Sequence, residues 1–258
     1  MIAYQREGAG YPIVVLNGFA GSRVDWDPSF LAALEAGHEL ILVDNRGMGE
    51  SGGGEDPFTV EGMAADTIEL VESLGLDRPC LLGWSMGGFV AMAVALARPE
   101  LAGSLVLLAT QSGAGQAHVP AAVAAKLRDL TGSPEEQARG LISVLFTPER
   151  AAEVETAALD VVAGSRAALH PGVVGRQWEA MERWNGGGAT GRLGEIACPT
   201  LVATGTEDVV CPPANASALA AGLPDAWLAR FPQAGHAFMA DYPDALAALI
   251  AVFLKVQK

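Results

Sequence analysis

Short runs of Val, Leu and Ile recur at residues 13–16, 39–43, 80–83, 104–108, 200–203 and 226–231, and most are apolar at consecutive rather than alternate positions. A strand that is apolar on both faces has to be covered on both, which is the condition of a parallel sheet between two layers of helices. Helix-length segments separate these runs, at 28–36, 59–74, 86–97, 214–221 and 242–254. The alternation of strand and helix predicts a doubly wound α/β fold.

The alternation breaks once, between Gln111 and Ile196. No strand pattern occurs there; helical patterns run at 119–130, 134–146, 149–162 and 172–184, followed by the turn-prone Asn185-Gly186-Gly187-Gly188. Loops beyond about 15 residues without structure of their own are uncommon. The stretch therefore reads as a helical insert lying over one edge of the sheet. The domain reading is residues 1–110 as the first part of an α/β core, 111–196 as a helical cap, and 197–258 as the second part of the core.

Composition narrows the function classes. The chain has 258 residues, 50% hydrophobic and 18% charged, a globular profile that excludes disorder, collagen and coiled coil. A formal net charge of -14 argues against nucleic acid or an anionic membrane surface as partner and leaves small molecules. A homo-oligomer is allowed. The apolar stretches at 89–97 and 245–254 are about half the length of a bilayer span, and no secretory h-region opens the sequence. Cys80, Cys198 and Cys211 have neither CxxC spacing nor an even count, so no metal site and no disulfide framework is expected, and a cytoplasmic location fits.

Chemistry concentrates at strand ends. The run 80–83 leads into Gly83-Trp84-Ser85-Met86-Gly87-Gly88 and then directly into a helical segment. G-x-S-x-G alone is a weak signal, but on a strand-turn-helix it describes a serine held on a strained turn, with glycines that let neighbouring backbone approach. A hydroxyl at neutral pH needs a base, and the base needs a group that fixes its tautomer. Of the four histidines, His38 opens a buried strand, and His118 and His170 fall in the insert as surface or packing residues. His236, in Gln233-Ala234-Gly235-His236 just past the last strand, is the expected base. Asp208 follows the run 200–203 at a strand's carboxyl end, where ligands of open α/β sheets gather. Adjacent Glu207 is the alternative acid. The order Ser85, Asp208, His236 is that of nucleophile, acid and base in α/β hydrolases. The turn Asn17-Gly18-Phe19-Ala20 follows the first strand, so the backbone N–H of Phe19, paired with that of Met86, is the expected oxyanion hole.

These motifs resemble the α/β-hydrolase family over essentially the whole chain. The similarity is nearest to the cofactor-free haloperoxidases (perhydrolases) and the 3-oxoadipate enol-lactonases. It is carried by Asn17-Gly18-Phe19, Asp44-Asn45-Arg46-Gly47-Met48-Gly49-Glu50-Ser51, Gly83 to Gly88, Asp208 to Pro212 and Gly235-His236. The resemblance implies a mostly parallel sheet of seven or eight strands flanked by helices, with the helical cap inserted after the sixth family strand, and a structural role for the Asp44–Ser51 turn. The sequence departs from the family in having Asn17 where His is usual, which should alter loop hydrogen bonding more than chemistry. It also begins at Ile2–Arg6 with what resembles the family's second strand.

The expected function is hydrolysis of a carboxylic ester or lactone through an acyl-enzyme on Ser85, with no cofactor or metal. The same residues could serve perhydrolysis, thioester hydrolysis or carbon–carbon bond hydrolysis. A noncatalytic ligand receptor is the reading from another class, and the filled Ser, Asp and His positions argue against it. Trp26, Trp84, Trp178, Met181 and Trp184 are the candidate substrate contacts, with core packing as the alternative for aromatics at helical spacing.

Overall fold

A computed structural model describes residues 2–53 and 58–257. Seven strands form one sheet: β1 (Tyr4–Gly8), β2 (Tyr11–Leu16), β3 (His38–Val43), β4 (Cys80–Trp84), β5 (Ser104–Leu108), β6 (Thr200–Gly205) and β7 (Ala226–Phe231). Their spatial order is β1-β3-β2-β4-β5-β6-β7. Only β1 is antiparallel to its neighbour; Tyr4 lies opposite Val43 and Gly8 opposite Glu39, and every other pairing is parallel. Of the seven or eight strands expected, seven are present among the described residues. The segment at 2–6 forms the antiparallel edge, displaced to Tyr4–Gly8.

Continuous apolar runs do become the central strands. β5 is buried at all five positions, and its residues divide between the two faces because side chains alternate. Ile13, Val15, Leu82 and Val106 pack against α1 (Pro28–Glu35) and α9 (Pro243–Val256). Val14, Leu16, Leu81, Leu105 and Val202 pack on the opposite side against α2 (Val60–Ser73), α3 (Met86–Ala97) and α8 (Pro213–Gly222). Helix starts are set by local chemistry: the Asp27 carboxylate accepts from Phe30 N–H before α1, and the Thr59 hydroxyl from Gly62 N–H before α2.

Between β5 and β6 run α4 (Ala121–Arg128), α5 (Pro134–Leu145), α6 (Pro148–Ala167) and α7 (Pro171–Gly186). α5 opens with a capping box of Ser133 and Glu136. α6 continues five residues past the expected end to Ala167, and α7 absorbs Asn185 and Gly186, which the glycine-rich sequence marked as turn. The insert leaves and rejoins the core at one neck, where Ala189 N–H donates to Ser112 O at 2.7 Å and Gln111 Nε2 donates to Asn185 Oδ1 at 2.9 Å. Among the described residues, no helix is long and apolar enough to cross a membrane.

Candidate active site

Ser85 is the single residue between β4 and α3, at φ 54° and ψ -118°. A side chain at positive φ costs energy that the surroundings must offset. Here the peptide is held on both sides: Ser85 N–H donates to Leu108 O at 2.9 Å, and Ser85 O accepts from the Thr110 hydroxyl at 2.7 Å. The flanking glycines are sterically required. A Cβ on Gly83 would lie 2.3 Å from Gly87 O, and one on Gly87 would lie 2.1 Å from Leu16 O.

The end of β2 reaches the same place. A Cβ on Gly18 would come within 3.4 Å of Ser85 Cβ, so the Asn17–Ala20 turn lies directly against the serine. Among the described residues neither Phe19 N–H nor Met86 N–H has a protein acceptor. Asn17 Nδ2 donates to Val43 O at 2.9 Å, while Asn45 Nδ2 donates to Asn17 O at 3.3 Å, so the side chain ties the end of β2 to the end of β3. The Asp44–Ser51 turn braces this region from below. Asp44 accepts from the Arg23 and Glu50 N–H groups and pairs with the Arg23 guanidinium, and Ser51 donates to Asp44 O.

Asp208 and His236 are both buried, and Asp208 Oδ2 is 2.8 Å from His236 Nδ1. The other carboxylate oxygen, Oδ1, accepts from Val210 and Cys211 N–H, each at 2.8 Å. A carboxylate oxygen accepts, so in this contact His236 Nδ1 is the donor. Glu207 is exposed and makes no hydrogen bond or ion pair with the imidazole among the described residues. Of the remaining histidines, His38 Nδ1 lies 3.1 Å from Leu34 O, and His118 and His170 are exposed.

The candidate substrate contacts separate into three places. Trp178 packs edge-on against Phe19, with ring centroids 5.4 Å apart, and Arg128 covers its ring at 5.0 Å. Met181 and Trp184 are buried in the packing around α3, where Trp184 stacks on Phe89 at 5.7 Å. Trp26 and Trp84 face the α1 and α9 side, 5.7 Å apart, and Trp84 Nε1 donates to His236 O at 3.1 Å. Thus the structure brings Trp178 to the Asn17–Ala20 turn and gives Met181, Trp184 and Trp26 core surroundings. Three contacts were not read from the sequence: Thr110, Gln177, whose Oε1 accepts from Ala20 N–H at 2.8 Å, and Leu145, whose carbonyl accepts from Ala237 N–H at 3.0 Å. A lone Thr, Gln or backbone carbonyl has no local signature. Among the described residues, no group of three or more His, Cys, Asp or Glu side chains could hold a metal.

Residues 11–243 match the sequence profile of the alpha/beta hydrolase fold family. The chain belongs to that family, and it is an α/β-hydrolase enzyme. It is 30% identical over 250 residues to a protein of Azorhizobium caulinodans named as a carbamate hydrolase, RutD, covering 97% of this chain and 93% of the relative. To a Mycobacterium tuberculosis H37Rv protein named as a non-heme bromoperoxidase, BpoC, it is 31% identical over 277 residues, covering 99% of this chain and 98% of the relative. A thermophilic esterase from Thermogutta terrifontis superposes with a TM-score of 0.84 at 26% identity, covering 99% of this chain and 93% of the esterase. The expected likeness to haloperoxidase-type hydrolases is thus met at the level of the family and its named relatives.

Proposed function

We propose that this hydrolase cleaves a carboxylic ester or lactone through an acyl-enzyme on Ser85, with His236 as base and Asp208 as its orienting acid. The observation that carries the reading is the 2.8 Å contact of Asp208 Oδ2 with His236 Nδ1, at the sheet edge where Ser85 sits at positive φ. In this mechanism His236 Nε2 takes the Ser85 hydroxyl proton as Oγ attacks the carbonyl carbon. The Phe19 and Met86 N–H groups receive the oxyanion. His236 then delivers the proton to the leaving oxygen, and water, deprotonated by the same nitrogen, releases the acid and restores Ser85. Asp208 stabilises the imidazolium formed in each half-reaction. The substrate is a small molecule, and the α4–α7 insert is the cap over its acyl group. Three free, buried cysteines fit a reducing cytoplasm.

A second reading has one observation in its favour, the 31% identity to the protein named as a bromoperoxidase. Hydrogen peroxide in place of water would release a peracid from the same acyl-Ser85. The test is a hydrolysis screen over acyl lengths and lactones, run beside a peracid assay with peroxide. Ester or lactone hydrolysis without peroxide is expected. Peracid formation with no measurable hydrolysis would transfer the proposal to the second reading.

A further inference from the structure

α7 contacts the turn after β2, which carries the proposed donor Phe19, through two consecutive residues. Ala20, one residue after the proposed donor Phe19, has φ 54°, a left-handed conformation that residues with a Cβ rarely adopt. Within the turn, the Gly21 N–H to Gly18 O contact at 3.3 Å is long. The shorter hydrogen bond comes from outside, where Ala20 N–H donates to Gln177 Oε1 at 2.8 Å. The next residue of α7, Trp178, packs against the ring of Phe19. Gln177 and Trp178 therefore clamp Ala20 and Phe19.

Gln177 is fully buried. Its amide orientation is not arbitrary, because Ala20 N–H requires an oxygen opposite it. Its Nε2 then has no protein acceptor among the described residues. A buried amide with an unmatched donor is costly, whereas Met or Leu would fill the same space without that donor. The feature that only the amide supplies is the acceptor for Ala20. This bond fixes the plane of the Phe19–Ala20 peptide and, through it, the backbone dihedrals of Phe19 that aim the preceding N–H. Oxyanion donors work only when held to within about 0.5 Å.

We infer that Gln177 is a positioning residue for the oxyanion hole, so that the catalytic geometry is complete only when α7 is seated on the core. The inference rests on the proposed serine-hydrolase reading and deepens it. It gives the insert a part in transition-state stabilisation that touches neither substrate nor nucleophile.

The test uses the whole protein with a short-chain ester, in Gln177→Met, which keeps volume without the acceptor, and Gln177→Asn, which keeps the amide but withdraws it by one methylene. Each should lower kcat about 10- to 100-fold while KM stays within about 3-fold, since removing an oxyanion donor outright costs about 10²- to 10³-fold. A trifluoromethyl ketone, whose adduct on Ser85 bears an oxyanion, should bind more weakly by a similar factor. A product carboxylic acid should bind as before. If Gln177→Met does not fold, Gln177→Asn carries the measurement. Unchanged kcat and ketone affinity in a folded variant would overturn the inference and leave the hydrolase reading standing, as would a raised KM with kcat intact. A parent protein that neither hydrolyses any ester or lactone nor reacts with a fluorophosphonate would overturn both.

Discussion

Trp84 Nε1 donates to the carbonyl of His236 at 3.1 Å, with the two rings 5.5 Å apart, so the residue immediately before the proposed nucleophile anchors the proposed base. The bond joins the end of β4 to the loop after β7. The half-buried indole packs on the cluster that holds α1 and α9.

Trp84→Phe keeps most of the packing and removes the donor. Loss of one neutral hydrogen bond corresponds to about 0.5–1.5 kcal/mol. Turnover on a small ester should fall by about 3- to 10-fold with KM little changed, measured by steady-state kinetics. A change confined to KM would return Trp84 to the substrate contacts.

The acid assignment rests on burial and direction. Asp208→Asn should lower kcat by roughly 10³- to 10⁴-fold, because the amide stabilises neither the required tautomer nor the imidazolium. Glu207→Gln, on an exposed side chain, should stay within about 3-fold. Kinetics of the two variants side by side decide the matter, and a reversed order would make Glu207 the acid.

The two insert tryptophans should separate cleanly. Trp178 touches Phe19, whereas Trp184 stacks on Phe89 in the core around α3. Trp178→Ala should shift the kcat/KM ratio between long and short acyl esters by more than about 5-fold, the effect of about 1 kcal/mol of apolar contact. Trp184→Ala should leave that ratio within about 2-fold and instead lower stability by about 3–5 kcal/mol, read from denaturant unfolding. Equal selectivity shifts in both variants would contradict the placement.

Legibility in the sequence followed the range of each physical signal. β2 to β6 and the nucleophile turn were readable because a strand covered on both faces is largely apolar, and because Gly83 and Gly87 leave no room for a Cβ, while the edge strand β7 was readable only from its short run at 226–231. β1 was not readable from pattern. Tyr4-Gln5-Arg6-Glu7-Gly8 is mostly exposed at the sheet edge and carries no apolar periodicity, so resemblance alone marked it. His236 and Asp208 were reachable because chain order and strand ends constrain where an acid and a base can meet. Gln177 and Leu145 were not, since their partners Ala20 and Ala237 are distant in sequence and are contacted through backbone groups that every residue has. Trp178 and Trp184 share a helix and a residue type, and only tertiary packing distinguishes them.

The cysteines provide a test of the packing. Burial pushes the Cys80 thiol up to about 12 and the Cys198 thiol up to about 11; Cys211 is raised too, by burial and then by the Asp208 carboxylate. The thiolate is the reactive form, and at pH 8 it is scarce at all three sites. Native protein treated with iodoacetamide at pH 8 should remain almost unmodified by intact mass, and denatured protein should gain three adducts. Rapid modification of the native state would show that one of these regions opens.

The most direct test of the central claim is to incubate the protein with a fluorophosphonate, map the adduct by peptide mass spectrometry, and follow ester hydrolysis in parallel. The account predicts a single adduct on Ser85, loss of hydrolysis in proportion to labelling, and a drop in turnover of roughly 10⁴- to 10⁶-fold in a folded Ser85→Ala variant. Hydrolysis at the parent rate in Ser85→Ala, or stoichiometric labelling at another residue, would contradict it.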